Sequence, residues 1–316
     1  MIRWGTVTTV KAPLRAILNF AAWHLELGAH RLYVYLDEPA PETFATLKAH
    51  PKIRVVTTDD AWWAKRNGRP EKHQGRQAAN ARHANNRKPE IDWLAHIDVD
   101  EFLLPASPVG EQLAALPEDA LCARIRPVEA LAPGTGTGPG ETAFKAFHLD
   151  QAARQRAARA CFPTWGQQLS GGFLSHVAGK LFFRPGTKGL QVRIHNVILN
   201  GNHNPGQVPL PGIELGHFHA DSWDHFLASY RFRLSRGSYR AELKPQVRQA
   251  DAVNLHDLFR GIEGAGGEPA LRAFFDEVCV ADRALCDRLE AHDLLRRHVM
   301  DLDRLRTQHF PGVNPG

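Results

Sequence analysis

Apolar residues change rhythm repeatedly over the first hundred positions. Residues 2–10 are dense in β-branched side chains (Thr6, Val7, Thr8, Thr9, Val10) and read as a strand. Pro13 suits the first turn of a helix. Leu14, Ile17, Leu18, Ala21, Ala22 and Leu25 then recur at helical spacing until Gly28 ends the run. Residues 31–36 form a second strand, stopped by Asp37-Glu38-Pro39; 41–50 a short helix; 53–57 a third strand. A polar helix over 71–87 precedes a fourth strand over 93–99. Strands alternating with helices predict an α/β fold, a mainly parallel sheet with right-handed crossovers and helices on its faces.

The second half is less regular. The pattern gives a short helix at 109–116, a strand at 121–127, a flexible Gly/Pro-rich loop at 133–140 and a hairpin of 180–184 with 190–198 around Pro185-Gly186. That loop is no phosphate-binding P-loop, because no Gly-Lys-Ser/Thr ends it. From residue 222 the periodicity is helical: 222–237, 255–262 and two segments within 269–308. The expected organisation is a catalytic domain over 1–220 with a helical C-terminal extension over 221–316 packed on it. No internal repeat is present.

A hydrophobic fraction of 43% suits a folded chain with a substantial core, and no stretch reaches the apolar length that crosses a bilayer. The start of the chain carries no basic-then-apolar leader pattern. Cys122, Cys161, Cys279 and Cys286 form no CxxC pair, so a reduced, cytoplasmic protein is expected. The net charge of +5 is modest for 316 residues and argues against nucleic acid as partner. Its basic residues gather between Lys65 and Lys88, where Glu71 is the single acid; this reads as a solvated helix face or as attraction for an anionic substrate.

The candidate chemistry lies in Trp93-Leu-Ala-His-Ile-Asp98-Val-Asp100-Glu101-Phe-Leu-Leu-Pro105. Alternate strand residues share a face, so Asp98 and Asp100 are expected to point together. Acids beside buried apolar residues repel one another unless a positive group sits among them. An oxygen-preferring divalent ion, Mg²⁺ or Mn²⁺, would supply that charge. Ends of buried strands are also where open α/β sheets place ligands.

Four segments together resemble the family-2-like glycosyltransferases of GT-A fold, in particular the group related to family 92. They are Trp23-His24-x-x-x-Leu27-Gly28-Ala29-x-Arg31-Leu-Tyr-Val-Tyr-Leu-Asp37; the Asp98-x-Asp100-Glu101-Phe102 core with Trp93; Lys180-Leu-Phe-Phe-Arg-Pro185 with Ile194-His195-Asn196; and His217-Phe-His219-x-x-Ser222-Trp223-x-x-Phe226, closing with Arg236-Gly237. They span roughly residues 1–240. The chain departs from the group after the first strand, where Lys11-Ala12-Pro13 replaces its Lys-Asn-Glu.

The resemblance implies a GT-A-like, Rossmann-related domain and inverting, metal-dependent transfer of a sugar to an acceptor hydroxyl. The donor would be a nucleotide sugar, UDP- or GDP-linked, and the acceptor a saccharide or lipid-linked glycan of surface polysaccharide or glycolipid synthesis. Peripheral membrane association is compatible with this and a transmembrane segment is not expected. Asp98 and Asp100 would hold the ion, with His195 or His219 as a further ligand; Asp37, Gln74, Asp98 and Lys180 would face the donor. The catalytic base is unassigned, with Asp221 as a weak candidate. Trp62, Trp63 and Trp165 read as core residues or as faces for sugar rings. Two other readings remain: a phosphatase using Asp-x-Asp after a strand, and a non-enzymatic basic module that binds acidic polymers.

Overall fold

The computed structural model describes residues 2–88, 90–175, 177–236 and 254–314. The chain gathers into two compact units, the first Met1–Arg126, Ala178–Leu215 and Asp301–Gly316, the second Pro127–Val177 and Gly216–Met300.

The first unit opens with β1 (Trp4–Val10), α1 (Leu14–Glu26), β2 (Arg31–Leu36), α2 (Pro41–Ala49), β3 (Ile53–Thr57), α3 (Asp60–Ala64), α4 (His73–Asn85), β4 (Trp93–His96), β5 (Glu101–Pro105) and α5 (Val109–Ala114). β6 (Cys122–Ala130) runs on into the second unit, which continues with β7 (Glu141–Lys145) and α6 (Gln151–Cys161). The first unit resumes at β8 (Lys180–Phe183), β9 (Gln191–Val192), β10 (Val197–Leu199), β11 (Asn202–His203) and β12 (Gln207–His217), whose last residues pass into the second unit. The second unit closes with α7 (Trp223–Arg236), α8 (Leu255–Cys279), α9 (Arg283–Ala291) and β13 (Leu295–Val299), and α10 (Leu302–His309) returns to the first.

The expected α/β architecture is present. In the first unit the strands follow the order β3-β2-β1-β4, all parallel, and β8 then adds antiparallel between β4 and β6. In the first unit β1–β4 make the parallel portion, and β8 is antiparallel to both of its neighbours. Every residue of β1 and β2 is buried. Central parallel strands lack an outward face, which explains their unbroken apolar and β-branched runs.

Several local expectations are corrected. Residues 180–184 and 190–198 do not form a hairpin: β8 pairs with β4 and β6, whereas β9, β10 and β11 make a separate three-stranded ribbon. β4 ends at His96 rather than at residue 99, and the helix over 222–237 is described only to Arg236, Gly237 lying outside the described residues. In the C-terminal segment β13 interrupts the helices and pairs antiparallel with β7. Gly266 and Gly267 break α8 in two, Gly267 adopting φ 61°, a left-handed conformation that glycine enters without steric cost. Neither α3 nor α6 was legible as a helix, since α3 has a single turn and α6 alternates alanine with arginine.

α1 lays Ile17, Leu18, Phe20, Ala21 and Leu25 into the core and carries one polar residue there, His24. The ring Nδ1 is 2.7 Å from the Phe20 carbonyl, and the Leu103 amide of β5 donates to Nε2 at 3.3 Å. This fixes the neutral tautomer with its proton on Nδ1. Burial lowers its pKa to about 4, against a smaller upward pull from Phe20. Unfolded chains therefore take up this proton first as pH falls. The stability is fully present above pH 6.5, on the order of 3 kcal/mol, and drains away as pH drops through about 4. Urea midpoints at neutral and acid pH check this: the acid loss should shrink in His24→Gln, whose amide does not titrate.

Candidate active site

All the acids of the Asp-x-Asp-Glu motif lie in the first unit, at the carboxyl end of β4. Because β4 stops at His96, Asp98 and Asp100 sit in a turn rather than on a strand. Both residues are half-buried, and Glu101 is 3% exposed. The turn is closed by a reciprocal clamp. The Asp98 amide donates to the Glu101 carboxylate at 2.7 Å, and the Glu101 amide donates to the Asp98 carbonyl at 3.1 Å. Glu101 therefore shapes the turn through its own carboxylate.

The positive group that such acids require is Lys180, the first residue of β8. Its Nζ lies 2.7 Å from Asp98 Oδ2 and 3.2 Å from a Glu101 oxygen, and its side chain is 1% exposed. Burial works against its charge, but Asp98 and Glu101 outweigh it and hold the ammonium above the ordinary lysine pKa. Gln77 of α4 donates its amide to the other oxygen, Asp98 Oδ1. Asp98 is thus fixed from two elements, while Asp100 takes part in neither of these contacts.

Arg124 of β6 organises the approach to both Lys180 and His195. Its guanidinium donates to the carbonyls of Ala178 (3.0 Å) and His195 (2.8 Å), to Asn196 Oδ1 (3.1 Å) and to Gln207 Oε1 (2.9 Å). His195 Nδ1 stands 3.0 Å from the Gly179 carbonyl. In a neutral ring, a carbonyl partner at Nδ1 selects the tautomer that a metal ligand uses. His96 is held likewise by the Arg193 carbonyl at 3.1 Å.

Asp37 lies just after β2 and is 2% exposed. Arg76 Nε meets both carboxylate oxygens at 2.9 and 3.0 Å, and Arg69 lies 3.1 Å away, with His73 at 3.9 Å. Burial raises its pKa, but the nearby His73, the hydrogen bonds from Arg76 and the fields of Arg76 and Arg69 outweigh that and lower it. The carboxylate is enclosed by cations, and what this strand end presents outward is positive charge. Gln74, the glutamine expected to face the donor, is exposed in the first turn of α4. Gln77, one turn on, is the one that reaches Asp98. No sequence signal separated the two, since the choice depends on which helix face meets the sheet.

His217, His219 and Asp221 lie in the second unit. The two imidazoles meet edge to face at 5.1 Å, and His219 is buried. Asp221 is 2.6 Å from His225 Nδ1, and Ser222 caps α7 through the His225 amide at 3.2 Å. Among the described residues no group of three or more His, Cys, Asp or Glu side chains is placed to hold an ion by itself. Trp63 is core, Trp165 packs on Phe274 at 5.4 Å, and Trp62 is partly exposed. All four cysteines are free and buried, and none of the described helices is long and apolar enough to cross a membrane.

Against known proteins, the model of glycosyltransferase family 92 matches residues 7–116. No curated protein matches the sequence. Similar solved structures include the galactosyltransferase LgtC with donor and acceptor sugar analogues, at 14% identity and a TM-score of 0.29. That alignment covers 58% of each chain, less than two thirds of the neighbour's length. An active-site mutant of LgtC aligns similarly, at 12% identity, a TM-score of 0.29 and 57% of each chain. HddC from Yersinia pseudotuberculosis shares 8% identity and a TM-score of 0.36, over 73% of this chain and all of that one. Superpositions this loose carry no argument about activity. The family match runs from β1 through α5 and contains the whole Asp98–Glu101 turn. Over those residues it bears out the resemblance to family-92-related glycosyltransferases that the motifs carry.

Proposed function

We propose that this protein transfers a sugar from a nucleotide-sugar donor to an acceptor hydroxyl, with inversion, using the Asp98–Glu101 turn and Lys180 at the donor diphosphate. The observation that carries the reading is the buried Lys180 ammonium clamped between two acids of a turn that lies within the family-matched residues 7–116.

The residues fit a divalent cation. Asp98 and Asp100 offer hard oxygen donors in a half-exposed turn. Mg²⁺ or Mn²⁺ is commonly bound through one or two carboxylates plus substrate phosphates rather than in an all-protein cage, so the lack of a three-residue cluster among the described residues suits an ion that arrives with the nucleotide. Asp100 and Asp98 would hold it, and His195 presents the tautomer for a further ligand. Such an ion supplies Lewis-acid stabilisation of the departing diphosphate. Lys180, anchored on Asp98 and Glu101, adds a fixed positive charge beside the turn. Glu101 keeps the turn in one shape, and Gln77 orients Asp98. The acceptor hydroxyl oxygen attacks the anomeric carbon as the glycosyl–phosphate bond breaks, the hydroxyl proton is released to the medium, and the diphosphate leaves with the electron pair. A saccharide or lipid-linked acceptor in the cytoplasm fits the reduced, buried cysteines.

Thermal melts with UDP, GDP and CMP, each with and without Mn²⁺, test the reading. One nucleoside diphosphate should stabilise the protein only together with the ion, by about 2.7 kcal/mol at a hundredfold excess over Kd. Indifference to all three overturns it.

A further inference from the structure

A second feature of the first unit is outside this machinery. Trp62 of α3 packs against His83 of α4, with ring centroids 4.7 Å apart, and against Tyr35 at 5.8 Å, while the Tyr35 hydroxyl is 2.7 Å from His83 Nδ1. The Arg66 guanidinium lies over the Trp62 ring at 3.4 Å and is tied to the Trp62 carbonyl at 2.9 Å. Arg87 follows α4, its amide bonded to the Ala84 carbonyl at 3.3 Å, and after burial the fields of Arg66 and Arg87 lower the His83 pKa to about 4. Among the described residues the Arg87 side chain makes no ion pair or hydrogen bond, and it is exposed. Lys65, Arg82 and Lys88 of the same stretch of chain are exposed as well. The nearest acids are otherwise engaged: Glu90 pairs with Arg31 and Arg54, and Asp59 caps α3.

We infer that Arg66 and Arg87 form a docking site for an acidic saccharide chain, a carboxylate-bearing glycan that serves as the acceptor; this rests on the sugar-transfer reading above. A guanidinium held flat on an indole loses little freedom on binding and keeps its in-plane N–H groups for a two-point contact with a carboxylate. The stretch from Lys65 to Lys88 carries a single acid, Glu71, so its cations gain by meeting a polyanion. A membrane surface is the poorer fit. Peripheral anchoring needs apolar residues to insert, and the exposed large apolar residues among those described, Leu149, Phe232 and Val299, all belong to the second unit.

The test uses the full chain and a fluorescent oligogalacturonate, with neutral dextran, phosphatidylglycerol vesicles and a single-stranded oligonucleotide of matched charge as comparators. Oligogalacturonate should bind in low salt and release as salt rises. Combined Arg66→Ala and Arg87→Ala should weaken it at least tenfold, Arg87→Lys should weaken it less, and Asp100→Asn should leave it unchanged. Melting curves confirm that each variant is folded. Equal binding of vesicles or oligonucleotide, or indifference to the arginine changes, overturns the proposal. Nucleotide-and-manganese stabilisation that persists while oligogalacturonate fails to bind sinks this surface alone; the converse sinks the transferase reading and leaves the surface as a polyanion site.

Discussion

Asp100→Asn is expected to remove transferase activity while leaving the fold intact. Asp100 is half-exposed and is not part of the clamp among Asp98, Glu101 and Lys180, so the variant should still melt as a folded protein. In the proposed site its carboxylate faces the cation that stabilises the departing diphosphate. Losing a charged ligand there should cost roughly 4 kcal/mol of transition-state stabilisation, or about a thousandfold in kcat/KM. Donor turnover followed by nucleotide release, beside a melting curve of the same sample, checks both halves. Retained turnover would mean that the turn does not serve the donor. An equally large fall in melting temperature would mean that Asp100 has a structural role.

Lys180→Met should do the opposite, collapsing stability first. The substitution conserves volume but strips the ammonium from a site where it is 1% exposed, leaving the buried Glu101 charge without its cation. Breaking a buried pair by removing one partner costs about 3–5 kcal/mol. Glu101→Gln together with Lys180→Met should recover part of that loss, since the stranded charge is then gone. The sign of the alkaline effect follows too. The ammonium's pKa is raised by folding, so on the alkaline side its contribution is intact up to the ordinary lysine range and fades only above it. Denaturant midpoints of the two single variants and the double variant decide the matter; additive losses would show that the two residues are not energetically linked.

Most of the first unit was legible because its signal is local. β1, α1, β2, α2 and β3 are short runs whose period and stop residues lie within a dozen positions. The Asp98–Glu101 motif was equally plain as a pattern, yet its geometry was not. Placing both acids on a strand face required β4 to continue beyond His96, and the Glu101 carboxylate ends it by claiming the Asp98 amide. That Lys180 neutralises the acids depends on β8 lying antiparallel beside β4, a pairing across eighty residues that no periodicity reveals. Asp37 shows the same limit. Its place just after β2 was readable, whereas its enclosure by Arg69 and Arg76 comes from how α4 and the segment before it fold. Gln77 was overlooked in favour of Gln74 because a polar helix with little amphipathic contrast does not announce which side it buries.

The fan of bonds from Arg124 sets a rule for how this molecule can diverge. One guanidinium grips the backbone just ahead of Lys180 and the backbone at His195, so neither stretch can change length or path without dragging the other. Beyond that knot, the turn at Asn200-Gly201 is exposed and uses left-handed φ values of 51° and 81° suited to Asn and Gly. Relatives are therefore free to elaborate the ribbon's tip, adding reach toward new acceptors, while the lysine and histidine stay in step.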